Sequence, residues 1–342
     1  MSKKRHRLSG EELRALTRED GELFHDAKGQ PCPLPAAAAP LADTHGHLTH
    51  FHLYEPDWAL ARAALAGVAL LGVPVDPTDD GRDPQALLDA LERWCDEASG
   101  HVEELVSWGV RPQADDPLAL LDNVRVWAGV HPYGAADFNA SPEAQRALES
   151  LFASPRAVGV GEFGLDYGPY NKTDPAEQRV AFATQLRLAH ELNLPVELHI
   201  RDAEGDEAAT AHAEAAQILE REGVPAAGCD LHCYTSNVEV MRPFVEMGCF
   251  VAFGGAATFP RSDDIREAAA ACPAQLLLSE TDSPYMAPMP LRGMECEPAM
   301  VAFSGDLVAR VREEAGVATR GETYEALWEN ARRLFGLGNQ VS

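Results

Sequence analysis

No stretch of this chain is apolar for long enough to cross a bilayer. A spanning helix needs about 20 consecutive apolar residues, and polar residues interrupt every run well before that. The basic start, Met1-Ser-Lys-Lys-Arg-His-Arg7, is followed by the charged and polar stretch Gly10 to Gly29 where a signal peptide would place its apolar centre. Secretion by that route is therefore not expected. Paired cysteine spacing is missing too. The seven cysteines are an odd, scattered set with no CxxC pair, and Cys229 and Cys233 have no second pair with which to enclose a structural zinc. This usage points to a reducing compartment, and the expected location is the cytoplasm. Basic charge is scarce: 28 Lys and Arg stand against 54 Asp and Glu, a formal net charge of −26. Such a surface has no broad basic footprint, so no stable nucleic-acid complex is expected. It does not exclude a nucleic-acid substrate, because a bound cation can invert the field within one cleft.

What remains is the composition of a globular protein, with 46% hydrophobic and 24% charged residues in 342. Residues 1–40 read as an N-terminal extension or linker. Pro31-Cys-Pro-Leu-Pro35 and the Ala36 to Pro40 tract cannot form regular helix or an inner strand, and apolar anchors are expected to be few. From residue 41 to 337, short apolar runs alternate with segments of helical period. The expected strands are 41–44, 67–73, 124–130, 158–161, 195–200, 228–232, 249–253 and 276–280. The expected helices are 86–106, 144–152, 176–192, 208–222, 238–247, 264–271, 298–314 and 323–335. This alternation implies parallel strands with helical crossovers. Eight of them fit a (β/α)8 TIM-type barrel; an open doubly wound sheet is the structural alternative. The stretch 84–121 is long for one crossover and predicts a helical insertion.

Five polar motifs stand out. Asp43-Thr-His45-Gly-His47 carries two histidines at i and i+2, which share one face of a strand and could hold one ion together. Alone, they could as well be surface histidines; His50 and His52, outside the strand run, read as loop residues. Val158-Gly-Val-Gly-Glu162-Phe-Gly-Leu-Asp166-Tyr167 contains GxGxxG in form. A dinucleotide site would need a helix opening at these glycines and no carboxylate facing the pyrophosphate; instead a loop is expected. Leu194-Pro-Val-Glu-Leu-His199-Ile-Arg201 ends an apolar strand in a histidine, with an arginine on the same side that suits an anionic group; an Arg–Asp surface pair is the alternative. Asp230-Leu-His232-Cys-Tyr is another strand ending in histidine, and Leu276-Leu-Leu-Ser-Glu280-Thr-Asp282-Ser-Pro284-Tyr285 runs into two acids. An unneutralised carboxylate pair is costly without a cation.

Their joint placement is more telling than any one of them. All five sit at the C-terminal end of an expected strand, and in an α/β barrel those ends converge on one mouth. His131, in Gly129-Val-His131-Pro132, joins them. A metal site built from His45, His47, Glu162, His199, His232 and Asp282 is the expectation.

These motifs resemble the TatD family of metal-dependent deoxyribonucleases, of the amidohydrolase superfamily, from residue 41 to about 337. Gly129-Val-His-Pro132 is similar to the family's Gly-Ile-His-Pro, and Gly161-Glu-Phe-Gly-Leu-Asp-Tyr167 to its Gly-Glu-Ile-Gly-Leu-Asp-Tyr. Leu198-His-Ile-Arg-Asp-Ala203, His232-Cys-Tyr-Thr235 and Glu280-Thr-Asp-Ser-Pro-Tyr285 follow in the family's order. The resemblance implies two divalent ions (magnesium, zinc or manganese). His45, His47 and Asp282 would hold one, His199 and His232 the other, and Glu162 would bridge them. Asp282 and Glu162 would be catalytic, with Asp282 taking the proton of the attacking water. His131 and Arg201 would lie near the substrate phosphate, and the partner would be DNA or another phosphodiester.

The chain departs from the pattern in four places, two of them the extra first 40 residues and the helical excursion around 84–121. Ser236 stands where the family usually has glycine, and Arg292-Gly-Met-Glu-Cys-Glu297-Pro298 lacks a lysine and an asparagine. Both are expected near the mouth, where they bear on the substrate. Hydrolysis of an ester, lactone or aminoacyl bond therefore stands beside phosphodiester cleavage, and a non-catalytic partner-binding barrel beside both.

Overall fold

The structure, a computed structural model, describes residues 7–81 and 83–337. Eight parallel strands follow one another in sequence order around a barrel. They are β1 (Leu41–Asp43), β2 (Val68–Val75), β3 (Val124–Ala128), β4 (Ala157–Asp166), β5 (Val196–Arg201), β6 (Cys229–Leu231), β7 (Phe250–Phe253) and β8 (Leu277–Ser279). The two ends of the sheet meet. Thr44 N–H donates to Ser279 O at 3.2 Å, Asp282 N–H to His45 O at 2.9 Å and His47 N–H to Ser283 O at 2.8 Å. The closed barrel, not the open sheet, is the architecture.

Helices fill the crossovers: α1 (Gly10–Asp20) precedes β1, and α2 (Pro56–Leu65), α3 (Pro84–Ser107), α4 (Ala119–Asp122), α5 (Ala135–Ala140), α6 (Pro142–Leu151), α7 (Pro175–Leu192), α8 (Thr210–Glu222), α9 (Val238–Glu246) and α10 (Asp263–Ala271) run between strands. Two more, α11 (Val301–Glu314) and α12 (Arg320–Leu334), close the chain. The expected insertion at 84–121 is the 24-residue α3 followed by the single turn of α4. Within β3, Trp127 is fully buried, donates its indole N–H to Thr44 O at 3.1 Å and meets the ring of Phe335 edge-on.

Two expectations need correction. The first concerns β4, which does not stop at Gly161 but runs to Asp166. Its glycines do not open a helix, which removes the dinucleotide reading. They let neighbouring chain come close: a Cβ on Gly164 would lie 1.9 Å from His199 O, and one on Gly161 2.7 Å from the Cβ of Glu197. The second concerns the 1–40 segment, which is anchored by apolar contacts. Leu13, Leu23, Phe24 and Cys32 are buried in the same core as β1, α2 and α11 residues. A capping box between Ser9 and Glu12 starts α1. Arg14 and Arg18 then lie over the rings of Trp58 and Trp108, at 4.8 and 4.3 Å, and hold the helix against α2 and the end of α3.

Candidate metal centre

The barrel brings the six expected ligands to one place at its mouth. His45 and His47 lie just beyond β1, in the segment bonded to the chain after β8. Their Nε2 atoms are 3.2 Å apart. Both face Glu162 Oε2, at 3.7 and 3.8 Å, and Asp282 Oδ1, also at 3.7 and 3.8 Å. The other oxygen of Glu162 faces the second pair: Oε1 is 2.6 Å from His199 Nδ1 and 3.0 Å from His232 Nε2, and these nitrogens are 3.2 Å apart. Glu162 stands within β4 rather than at its end, and His199 stands within β5; His232 follows β6 directly and Asp282 lies three residues past β8.

This donor set fits divalent ions. The two histidine nitrogens lie 3.2–3.8 Å from each other, from Glu162 Oε2 and from Asp282 Oδ1, and with either carboxylate they have the mutual spacing of ligands each about 2.0–2.2 Å from a shared centre. Neutral imidazole and carboxylate are the forms that ligate. Burial, with His45 beside it, holds His47 well below the ordinary histidine range, and burial lowers His232 as well. Burial opposes ionisation of Glu162, but His232, His131 and His45 outweigh it and keep its carboxyl well below the usual range. Burial would also lower His199; its hydrogen bonds to Asp166 and Glu162 push it up to about 10 instead. Two nitrogens and two carboxylates crowded in this way carry surplus lone pairs that a cation would satisfy.

Further carboxylates stand behind the ligands. Asp166 Oδ2 hydrogen-bonds His199 Nε2 at 3.2 Å. Glu280 Oε2 lies 3.8 Å from His232 Nδ1, and its other oxygen accepts the Cys233 N–H at 2.5 Å. Asp43 accepts the Thr281 N–H and hydroxyl at 2.8 and 2.6 Å, pinning β1 to the segment that carries Asp282. Asp282 and Cys233 both have left-handed backbones, φ 57° and 48°, and their side chains meet at 3.5 Å. Aspartate tolerates that region, and strained residues of this kind gather at sites the surrounding fold holds fixed.

A cavity of about 770 Å³ opens above this cluster, lined by His47, His131, Glu162, His199, Arg201 and Asp282 among others. His131 Nε2 lies 3.6 Å from Glu162 Oε1. Arg201, the last residue of β5, is exposed with its guanidinium 5.6 Å from the ring of Tyr170. The alternative, an ion pair of Arg201 with a nearby carboxylate, is not among the ion pairs of the described residues, and Asp202, next in the chain, is engaged elsewhere. Its carboxylate bonds His212 Nδ1 at 2.6 Å and caps the start of α8. Tyr133, Tyr170 and Tyr285 are exposed on the cavity's rim.

Some of the site lies outside the sequence motifs, and the 292–298 loop reaches the mouth through Arg292, which lies 4.3 Å over the cavity-lining Phe259 ring. His50 is not an idle loop residue: it stacks on His47 at 4.5 Å and lines the cavity. Its three-residue spacing from His47 was the available signal. Glu197 and Tyr285 stand inside the motifs but carry no role there, and Tyr133 and Tyr170 lie outside them. The acids of the departing 292–298 loop turn inward. Glu295 accepts the backbone N–H groups of His52, Leu53 and Tyr54 at 3.0, 2.8 and 2.8 Å, and Glu297 pairs with the buried Arg62 at 2.7 Å. These acids brace the chain below the mouth; neither is among the cavity's lining residues.

Comparison with known proteins agrees with this geometry. The family model described as TatD related DNase matches residues 42–336. A Bacillus subtilis protein named as an uncharacterised metal-dependent hydrolase, YabD, is 35% identical over 238 residues, covering 68% of this chain and 88% of its own length. The Escherichia coli K12 protein named 3'-5' ssDNA/RNA exonuclease TatD is 35% identical over 215 residues, 61% of this chain and 77% of its own. Among solved structures, the E. coli TatD homologue YjjV superposes with a TM-score of 0.67 at 26% identity, over 88% of this chain and 100% of that one.

Proposed function

The chain belongs to the TatD-related DNase family, and from that premise we propose that this metal-dependent hydrolase cleaves phosphodiester bonds of single-stranded nucleic acid. The observation that carries the reading is Glu162, which offers one oxygen to the His45–His47–Asp282 group and the other to the His199–His232 pair. His45, His47 and Asp282 would hold one divalent ion and His199 and His232 a second, with Glu162 shared. When bound, such ions lower the pKa of a water molecule and offset charge on phosphoryl oxygens.

The residues of the chain do the rest. Asp282 takes the proton of the attacking water; burial pushes its carboxyl above the ordinary value, toward proton acceptance. Arg201 meets the phosphate with a charge-assisted contact. His131 is kept neutral by burial, with His199 adding to the effect, at a pKa of about 3. A neutral imidazole can donate a hydrogen bond to a phosphate oxygen without competing for the ions. Tyr133, Tyr170 and Tyr285 offer rings on which unpaired bases can stack, which a duplex cannot use. The free cysteines among the described residues support a cytoplasmic setting. No described helix is long and apolar enough to cross a membrane.

The test is elemental analysis of gently purified protein joined to product analysis on a single-stranded oligonucleotide. About two ions per chain with divalent-dependent release of short products is expected. Active, metal-free protein would contradict the reading.

A further inference from the structure

The interior of a TIM barrel is filled mainly by branched apolar side chains. On β5, Val196 and Leu198 belong to the apolar core. Glu197, between them, shares the face of His199 and Arg201. It is completely buried. A carboxylate placed there costs several kcal/mol unless something specific answers it.

What faces Glu197 is the inner side of a ligand histidine. Its Oε2 lies 3.0 Å from His45 Nδ1. His45 is itself fully buried, and neither Nδ1 nor either Glu197 oxygen makes a hydrogen bond among the described residues, so this close approach is the one polar contact each has on that side. The opposite nitrogen, Nε2, faces His47, Glu162 and Asp282. The ring is therefore spanned between Glu197 and the ligand cluster. If Nε2 keeps its lone pair for an ion, the ring proton must sit on Nδ1, and Glu197 is the acceptor within reach. Room for this carboxylate is kept on β4, where Gly161 has no Cβ; one placed there would be 2.7 Å from Glu197 Cβ and 2.8 Å from its carbonyl oxygen. Two other ligand histidines are backed in a similar way, His199 by Asp166 at 3.2 Å and His232 by Glu280 at 3.8 Å.

We infer that Glu197 is a positioning residue for the metal centre: it fixes the orientation and tautomer of His45 and so sets the affinity of the ion shared by His45, His47 and Asp282. The inference rests on the two-ion reading above. A built-in control stands beside it. Asp230 pairs with Glu197 in the β5–β6 register, is just as buried, and has no hydrogen-bond partner on either oxygen among the described residues. Its substitution alters the same buried polar interior without touching a ligand ring.

The experiment is titration of metal-free full-length protein with Zn²⁺ against a competing chelator, and with Co²⁺ followed by its visible absorption. It is run on wild type, Glu197→Gln, Glu197→Asp and Asp230→Asn, with melting of each metal-free protein. Glu197→Gln should weaken one ion by about 10–100-fold, change the Co²⁺ spectrum of that ion alone, and melt no lower than wild type without metal. Asp230→Asn should keep both affinities. Should Glu197→Gln fail to fold, Glu197→Asp decides the matter, because it keeps the charge but withdraws the oxygen from Nδ1; it should weaken the same ion. Unchanged affinities in the Glu197 variants would overturn the inference. So would an equal loss in Asp230→Asn, which would assign the effect to a general change in the buried polar interior. A wild-type chain that takes up a single ion contradicts the two-ion reading, yet the comparison still decides the role of Glu197: a weaker ion in Glu197→Gln supports it and an equal one overturns it.

Discussion

Asp282 is where the chemistry can be tested most sharply at the scale of one residue. Asp282→Asn keeps an oxygen toward His45 and His47 but removes the base and a charge. The rate should fall on the order of 10²–10⁴-fold, the usual worth of a positioned general base, with the fold retained. Initial rates, metal content and melting on one preparation check this; near wild-type turnover in a fully metallated variant would remove Asp282 as the base. Arg201→Ala should weaken turnover of a phosphodiester far more than that of a neutral ester and leave metal content unchanged. Equal losses on both substrates, read as kcat/KM, would remove the phosphate contact. The ligands were legible because His45, His47, His199, His232 and Asp282 each follow or end an apolar run, so their chemistry shows against the core pattern. Glu197 was not legible for the opposite reason. It lies inside the run Val196-Glu-Leu198, where period-2 alternation makes a charged residue look like a solvent-facing position. Only the barrel turns that face inward.

Among elements, the strands and most helices could be read directly, since each β run is short, apolar and bounded by polar loops. The misses have physical causes. The helix α2 is buried over most of its circumference, from Ala59 to Leu65, so it lacks the polar face that marks a helical period. The helix α1 is mostly charged, and its docking relies on arginine–indole contacts and the Ser9–Glu12 cap rather than an apolar stripe. The segment leading from it to β1 carries its own apolar anchor. Phe24 is buried edge-on against Phe303 of α11 at 5.1 Å. Phe24→Ala should therefore destabilise the protein by about 3–5 kcal/mol while metal per folded chain stays constant. Denaturant unfolding with parallel metal analysis measures both. A loss below 1 kcal/mol would mean that this segment is an arm lying on the barrel and not part of its core.

For the whole molecule, the net charge of −26 opposes approach of a polyanion everywhere except at the mouth, where Arg201 and the bound ions would reverse the field. Most proteins that act on nucleic acid lose affinity steeply as salt rises. Here inert salt between low and physiological strength should raise kcat/KM on an oligonucleotide, or leave it nearly flat, because screening removes a repulsion. A steep fall over that range would point to a basic track and contradict this expectation.

In the proposed reading, Glu162 joins two ion sites into one hydrolytic centre for phosphodiesters. The most direct measurement follows a single-stranded oligonucleotide and a panel of neutral esters and lactones with the same protein, first stripped by chelator and then reloaded with one divalent metal while bound ions are counted. Phosphodiester cleavage should be absent after stripping and return as occupancy rises toward two ions per chain, with the neutral substrates turned over far more slowly. Full occupancy with ester or lactone hydrolysis and no phosphodiester cleavage would contradict the account.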